Sequence, residues 1–334
     1  MEKNLDRLYE NFVKSRSAGT IFQSRLFGEF QESIAYRGDT WTIIKIDGKN
    51  GDVIGSCLVV RMKMRFGLCW LWVPYGPLCS GETCSDIFDD LARIAHEENA
   101  VFARIEPAVA ATPDEKFNIK PARKRFTPEH SLIIDLEKSE KEILAHMKPK
   151  GRYNIGVARK NGVAVRVCGV EKTGEFYSLL KKTSARDSFG IHPLYFYENL
   201  LKMFGGPSRG GGGAEGDAEG AAKLFLAYKD GVAAAGAIVM YYKNTATYYF
   251  GASDPVHRAV MAPYLLHWEI MLDAKKRGYK NYDFLGIAPP DAQNHEWSGI
   301  TEFKKKFGGR TVSYPSAFDI VYRPILYRLI ALKD

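Results

Sequence analysis

Residues 41–47 (WTIIKID) form a β-branched, aromatic run, and residues 52–64 form a second, mostly apolar one. Between them Gly48-Lys49-Asn50-Gly51 supplies turn residues tolerant of positive φ, so the pair predicts a β-hairpin. A third strand is expected over 68–73, running into Pro74-Tyr75-Gly76-Pro77. Over 85–99 the pattern changes to helical spacing, with Ile87, Phe88, Leu91, Ile94 and Ala95 on one stripe. A fourth strand follows at 101–105 and ends at Glu106-Pro107.

The same order recurs. Strands are expected at 224–229 and 232–242 around the turn Asp230-Gly231, then at 245–251 before Ser253-Asp254-Pro255. A helix follows over 260–277, with Gly278 where a C-terminal cap belongs. The fourth strand, 280–285, leads into Gly286-Ile287-Ala288-Pro289. Asp47 and Asp230 are 183 residues apart, and Pro107 and Pro289 are 182 apart. Matching offsets at both ends of the unit indicate an internal duplication. Helices are also predicted at 140–147, opened by the capping-box pair Ser139 and Glu142, and at 175–186, with a half-buried strand at 163–168 between them. The Gly- and Ala-rich stretch 205–222 lacks GxxxxGK[ST] and reads as a flexible surface insertion.

A chain of 334 residues exceeds one ordinary core, and two domains are expected. The net charge of +8 favours anionic partners without choosing among them. No apolar run reaches 18 residues, and the charged start lacks the apolar core of a secretory signal. The apolar tail 322–333, punctuated by Arg323 and Arg328, reads as a packed terminal helix, with a peripheral contact at the inner membrane face as the alternative. The five cysteines form no CxxC pair and suggest a reducing, cytoplasmic setting, with Cys57 and Cys69 as buried apolar groups. The seven histidines form neither HxxxH nor HExxH, so no metal site is expected, and no GxSxG or GxGxxG motif is present.

Three constellations could carry chemistry. Lys148-Pro-Lys150-Gly-Arg152-Tyr-Asn154 could contact phosphates through Lys150 and Arg152, or form a solvated helix face. In Phe303-Lys304-Lys-Lys-Phe307-Gly-Gly309 the two Phe residues share a helical face bordered by Lys304. A lysine desolvated by aromatic neighbours could stabilise a developing oxyanion, or the three lysines could form a solvated charge run. Arg186, at the end of its helix, could grip a diphosphate or carboxylate, or answer the helix dipole.

Together with Phe22-Gln-Ser24, VPYGP (73–77), Arg104-Ile-Glu-Pro107, Asp135-Leu136, residues 183–189, YYFGASDP (248–255) and Tyr282-Asp-Phe-Leu-Gly286, these segments resemble the FemA/FemB/FemX family of peptidyltransferases along nearly the whole chain. The resemblance implies an α/β (α+β) fold of two GNAT-like domains sharing a cleft, each a mixed twisted sheet flanked by helices. The expected division is 1–147 plus 310–334 for the first domain and 148–309 for the second. It further implies an aminoacyltransferase that moves an amino acid from aminoacyl-tRNA to an amine of a lipid-linked or UDP-linked peptidoglycan precursor, with no metal or coenzyme. By motif, Lys304 would stabilise the tetrahedral intermediate, Phe303 and Tyr249 would line the channel for the tRNA acceptor end, and Arg186 would hold the phosphate-bearing part of the precursor. Some members carry a lysine after the Gln-Ser opening that binds a UDP-linked precursor. Here Gln31 stands near that place, with Arg25 as the nearby cation, which leaves the acceptor's carrier open.

Two other readings compete. One is an acetyl-CoA-type N-acyltransferase of the same fold, though Arg258-Ala-Val-Met261-Ala-Pro263 puts Met and Pro where a pyrophosphate loop needs glycines. The other is a non-catalytic, basic RNA- or membrane-surface-binding protein.

Overall fold

The computed structural model describes residues 2–79, 82–205 and 221–331; most of the 205–222 stretch lies outside them. In chain order the elements are α1 (Glu2–Ser15), α2 (Arg25–Glu32), β1 (Arg37–Ile46), β2 (Val53–Lys63), β3 (Cys69–Pro74), α3 (Glu82–Glu97), β4 (Ala100–Glu106), β5 (Ile119–Pro121) and β6 (His130–Asp135). There follow α4 (Glu140–His146), α5 (Pro149–Lys160), β7 (Ala164–Cys168), α6 (Thr173–Asp187), α7 (Leu194–Phe204), β8 (Ala221–Lys229), β9 (Val232–Tyr242), β10 (Thr245–Ser253), α8 (Ala262–Lys276), β11 (Asn281–Gly286), α9 (Ser298–Lys304), β12 (Arg310–Ser313), β13 (Phe318–Val321) and α10 (Pro324–Ala331).

The chain divides into two compact units, Met1–Glu129 with Tyr314–Asp334, and His130–Ser313. Residues 130–147 therefore pack with the second unit rather than the first. The cause is β6, which pairs antiparallel with both β11 and β12 inside the second sheet.

The first unit holds a six-stranded sheet in the order β1-β2-β3-β4-β13-β5, the second a seven-stranded one in the order β12-β6-β11-β10-β9-β8-β7. Each begins with an antiparallel meander, crosses over through one helix, and makes a parallel pair, β3–β4 or β10–β11. Each then adds an antiparallel strand beside the fourth. Both are mixed α/β sheets on one plan. The crossover through α3 or α8 is what permits the parallel neighbour, since a tight turn cannot make one.

In the first unit β3 shows how the sequence sorts its faces. Cys69, Leu71 and Val73 join Phe88 and Leu91 of α3 in one core, while Trp70 stacks on Phe102 and Trp72 meets Phe27 of α2. Period-two alternation puts the two sets on opposite faces. In the second unit Ala235, Ala237, Val239 and Tyr241 of β9 face the core built on α8. A side chain at Gly236, on the opposite face, would run into Phe176 of α6.

Local signals are met where the chemistry is unambiguous. The Ser139 and Glu142 capping box is complete, and Gly278, at φ 85°, closes α8 with Tyr279 N–H donating to the Ala274 carbonyl at 3.0 Å. Cys57 and Cys69 are buried, as expected. Cys79 and Cys84 are joined in a disulfide, with Cα atoms 5.3 Å apart, which removes one argument for a reducing setting.

Candidate functional site

The two sheets differ where their parallel pair ends. β3 and β4 pair along their length, from Cys69–Ala100 to Pro74–Glu106, with one irregularity between Cys69 and Leu71. β10 and β11 pair only from Thr245–Asn281 to Thr247–Asp283, although both strands continue. Beyond that point β10 also bulges: Tyr248 faces Val239 and Phe250 faces Ile238, so Tyr249 is the extra residue. A bulge shifts the side-chain phase of the strand. Tyr248 accordingly packs on His267 of α8 at 4.5 Å, while Phe250 packs on Phe196 and Tyr197 of α7 at 5.8 and 5.1 Å.

Lys304 sits against this split. It is 6% exposed, although it lies in a run of three lysines. Its Nζ donates to the Gly286 carbonyl at the end of β11 at 2.5 Å and lies 5.7 Å from the Tyr248 ring. Phe303 packs on Tyr264, His267 and Phe307 at 5.1, 5.5 and 5.5 Å, closing an aromatic wall beside the lysine. Burial pushes the ammonium down to about 8, against a smaller opposing pull from Asp283. Asp283 is itself held by the Ser131 hydroxyl and by Leu285 N–H at 2.7 Å. Burial raises its carboxyl, and its hydrogen bonds and Lys304 act in the other direction. His267 shares a 2.7 Å hydrogen bond with the Tyr282 hydroxyl. Burial, and then Lys304, lower it to about 3, so it is neutral at physiological pH. The result is one desolvated cation, one buried carboxylate that supports it, and a neutral imidazole beside them.

The approach of α5 fixes this arrangement from behind. Lys148 N–H donates to the Lys306 carbonyl at 3.0 Å. Gly151 lies so close to that carbonyl that a Cβ would overlap it. The KPKG and FKKKFG segments, widely separated in sequence, are thus packed together.

The remaining expected residues are placed differently. Arg186 is exposed at the end of α6, paired with Asp187 through two bonds of 2.7 Å, and reaches Ser253 Oγ at 3.3 Å. Ser253 and Tyr248 lie on either side of the bulge in β10, opposite Ala235 and Val239 of β9, so Arg186 and Lys304 approach one strand at points ~14 Å apart. Tyr249 is half-buried in the bulge against Phe250 at 4.3 Å. Lys150 is exposed on the first turn of α5. Arg152, expected as a phosphate contact, donates through one nitrogen to the carbonyls of Leu144, Ala145 and Met147, and so caps α4. Arg25 is ion-paired with Asp6 at 2.6 Å, and Gln31 is buried. An open depression of about 600 Å³, lined by Arg166, Cys168, Lys172 and Tyr228 among others, lies on edge strand β7, away from Lys304. Among the described residues no group of three His, Cys, Asp or Glu could hold a metal ion, and no helix is long and apolar enough to cross a membrane.

A sequence model of the FemAB family matches residues 6–124, 117–209 and 216–334. The chain belongs to the FemAB family. Lipid II:glycine glycyltransferase of Staphylococcus haemolyticus is 21% identical, over 96% of this chain and 93% of that protein. The protein of the same name from Staphylococcus aureus strain USA300 is also 21% identical, with the same coverage. Among solved structures, the crystal structure of FemX superposes with a TM-score of 0.79 at 19% identity, covering 97% of this chain and 98% of its own. A tandem GNAT protein from the clavulanic acid pathway matches at a TM-score of 0.53 and 12% identity, over 94% and 93% of the two chains. These likenesses establish two GNAT-like domains as the fold.

Several family motifs prove to be scaffold. The Gln23 side chain accepts from Leu58 N–H at 3.1 Å and donates to the Pro74 carbonyl, joining the FQS and VPYGP motifs. Arg104 pairs with buried Asp319 through two 2.8 Å bonds, and Glu106 accepts from Trp72 and Thr127. Asp283, Ser131, His267 and Tyr248 were not nominated from the sequence. Asp283 carried a visible signal, a carboxylate inside an otherwise apolar strand, but its partner Lys304 lies 21 residues on.

Proposed function

We infer that this FemAB-family protein is an aminoacyltransferase that moves an amino acid from aminoacyl-tRNA to an amine on the stem peptide of a lipid-linked peptidoglycan precursor. The observation that carries the reading is Lys304, an ammonium taken out of water at the open end of the β10–β11 split. The names of the relatives, lipid II:glycine glycyltransferases, supply the substrate class. Arg25 is committed to Asp6, and no lysine stands at Gln31, which favours a lipid-linked over a UDP-linked acceptor.

In this reaction the acceptor amine attacks the ester carbonyl of the charged tRNA. The new C–N bond forms, negative charge collects on the carbonyl oxygen, and the C–O bond to the ribose breaks as that oxygen takes up the proton released by the amine. The ester is already activated, so the protein chiefly orients the reactants and stabilises the oxyanion. Lys304 has one N–H on the Gly286 carbonyl and further donors for the oxyanion. At pH 7 it is mostly protonated, as this role requires. Phe303 and Tyr249 would flank the tRNA end, and Arg186 would exchange Asp187 for a phosphate of the precursor. Lys150 would meet tRNA phosphates, as would the nitrogens of Arg152 not used on α4.

The acetyl-CoA reading is weaker on backbone grounds. Ahead of α8, amides that would bind pyrophosphate are used internally: Val256 on the Asp254 carboxylate at 3.0 Å, His257 on the Asp254 carbonyl at 3.2 Å, and Met261 on Arg258 at 3.3 Å. Pro263 has no N–H to offer.

The direct test incubates the protein with a pool of charged tRNAs and lipid-linked or UDP-linked muropeptide, and reads the product by mass spectrometry. The reading expects one or more amino-acid masses on the lipid-linked acceptor, and a loss of turnover larger than any loss of binding in Lys304→Met. No added mass on either acceptor, in an assay where another FemAB protein works, would refute transfer. Intact cellular function of Lys304→Met would favour the non-catalytic binder.

A further inference from the structure

We propose that one end of the first unit's sheet, made by the β2–β3 hairpin tip and helix α10, docks on an anionic lipid surface. Phe66 at the hairpin tip is 96% exposed, and its backbone holds a positive φ of 60°. Exposed Lys63 and Arg65 flank it. On α10, Ile325 is 78% exposed and Leu329 is 55% exposed. Four residues apart, they share one helical face, beside exposed Arg328. The opposite face is anchored: Tyr327 donates to Asp319 at 2.8 Å and packs on Phe102 at 5.3 Å.

Strand register brings these groups to the same end. Cys69, which starts β3 just after the hairpin tip, pairs with Ala100 at the start of β4. The N–H groups of Tyr322 and Arg323, immediately before α10, both donate to the Val101 carbonyl at 3.0 Å. The hairpin and α10 therefore leave the sheet two strand spacings apart, ~10 Å. Arg323 is near enough to Cys69 for its charge to act on that thiol.

Single exposed apolar side chains are ordinary on protein surfaces. Here three of them gather at one sheet end among Lys63, Arg65, Arg323 and Arg328. Of the carboxylates nearby, Glu98 and Asp39 share Arg61, at 3.3 and 3.7 Å, and Glu97 meets Arg93 at 3.1 Å. Separate apolar points set among cations suit a surface that yields to each point and carries negative headgroups. Such a contact would hold the protein at the surface where a lipid-linked acceptor resides.

The experiment is co-sedimentation of the full chain with vesicles of phosphatidylcholine alone, or with phosphatidylglycerol added. The vesicles contain no cell-wall precursor, so the result is independent of the transfer reading. Wild type is expected to bind the anionic vesicles selectively. Arg65→Gln with Arg328→Gln should weaken that binding by about twenty-fivefold, near fivefold per cation. Phe66→Ser with Ile325→Ser and Leu329→Ser should abolish it. The exposed control Val256→Ser, in the second unit, should bind as wild type does. Circular dichroism confirms that each variant is folded. Equal binding to both vesicle types, no binding to either, or wild-type binding by either multiple variant would overturn the proposal.

Discussion

Lys304 is buried at the site, and its burial costs folding free energy that substitution should return. Below pH 8 both the folded and the unfolded chain carry the Lys304 proton, and the folded form bears the full cost of the desolvated ammonium. The drop from the ordinary 10.5 to about 8 corresponds to ~3 kcal/mol. Between pH 8 and 10.5 the folded protein has released the proton while the unfolded chain keeps it, so this cost declines and wild-type stability gains. Lys304→Met has no proton to release. It fills a similar volume among Tyr248, Phe303 and His267, and at pH 7 is expected to be ~1–3 kcal/mol more stable than wild type. The lower end allows for Asp283, which loses a supporting cation. Its advantage should shrink by ~2–3 kcal/mol between pH 7 and pH 10. Urea midpoints of both proteins across this range supply the measurement. An advantage that is flat with pH, or a variant less stable than wild type at pH 7, would refute the account of Lys304 as a strained, functional cation. The same variant is expected to lose transfer, which separates stability from activity at one residue.

Asp283→Asn removes the pull that keeps Lys304 protonated. The alkaline limb of the rate profile should move to lower pH, and a tenfold rise in the acidity constant of Lys304 would cut the protonated, active fraction at pH 8 about fivefold; a limb that stays in place would count against the interaction. Gly151→Ala should cost ~1–3 kcal/mol in urea unfolding, because its Cβ overlaps the Lys306 carbonyl. Ser139→Ala should cost ~1 kcal/mol through the lost capping box, with activity retained. Arg186→Ala should raise KM for the precursor while shifting stability by less than ~0.5 kcal/mol, since its partner Asp187 is exposed.

The repeated strand–helix order was legible along the chain, because hydrophobic period and turn residues are local properties. The hairpin around residues 47–52, the capping box at Ser139 and the stop at Gly278 each follow from a few adjacent side chains. The sequence also singled out Lys304 and Phe303, through two aromatics spaced to share a helical face. The surroundings of those residues come from long-range packing. Whether a lysine in a triple-lysine run meets water or the Gly286 carbonyl depends on how α9 packs against β11. The charge interaction between Asp283 and Lys304 depends on strands whose pairing ends at Thr247 and Asp283, which no local pattern encodes. Arg152 adds a role that no local pattern announced: one of its nitrogens caps α4, which leaves the others for the phosphate contact its basic neighbourhood suggested. The split between β10 and β11, and the assignment of β6 to the second sheet, likewise come from long-range pairing, where the free energy lies in contacts between distant segments.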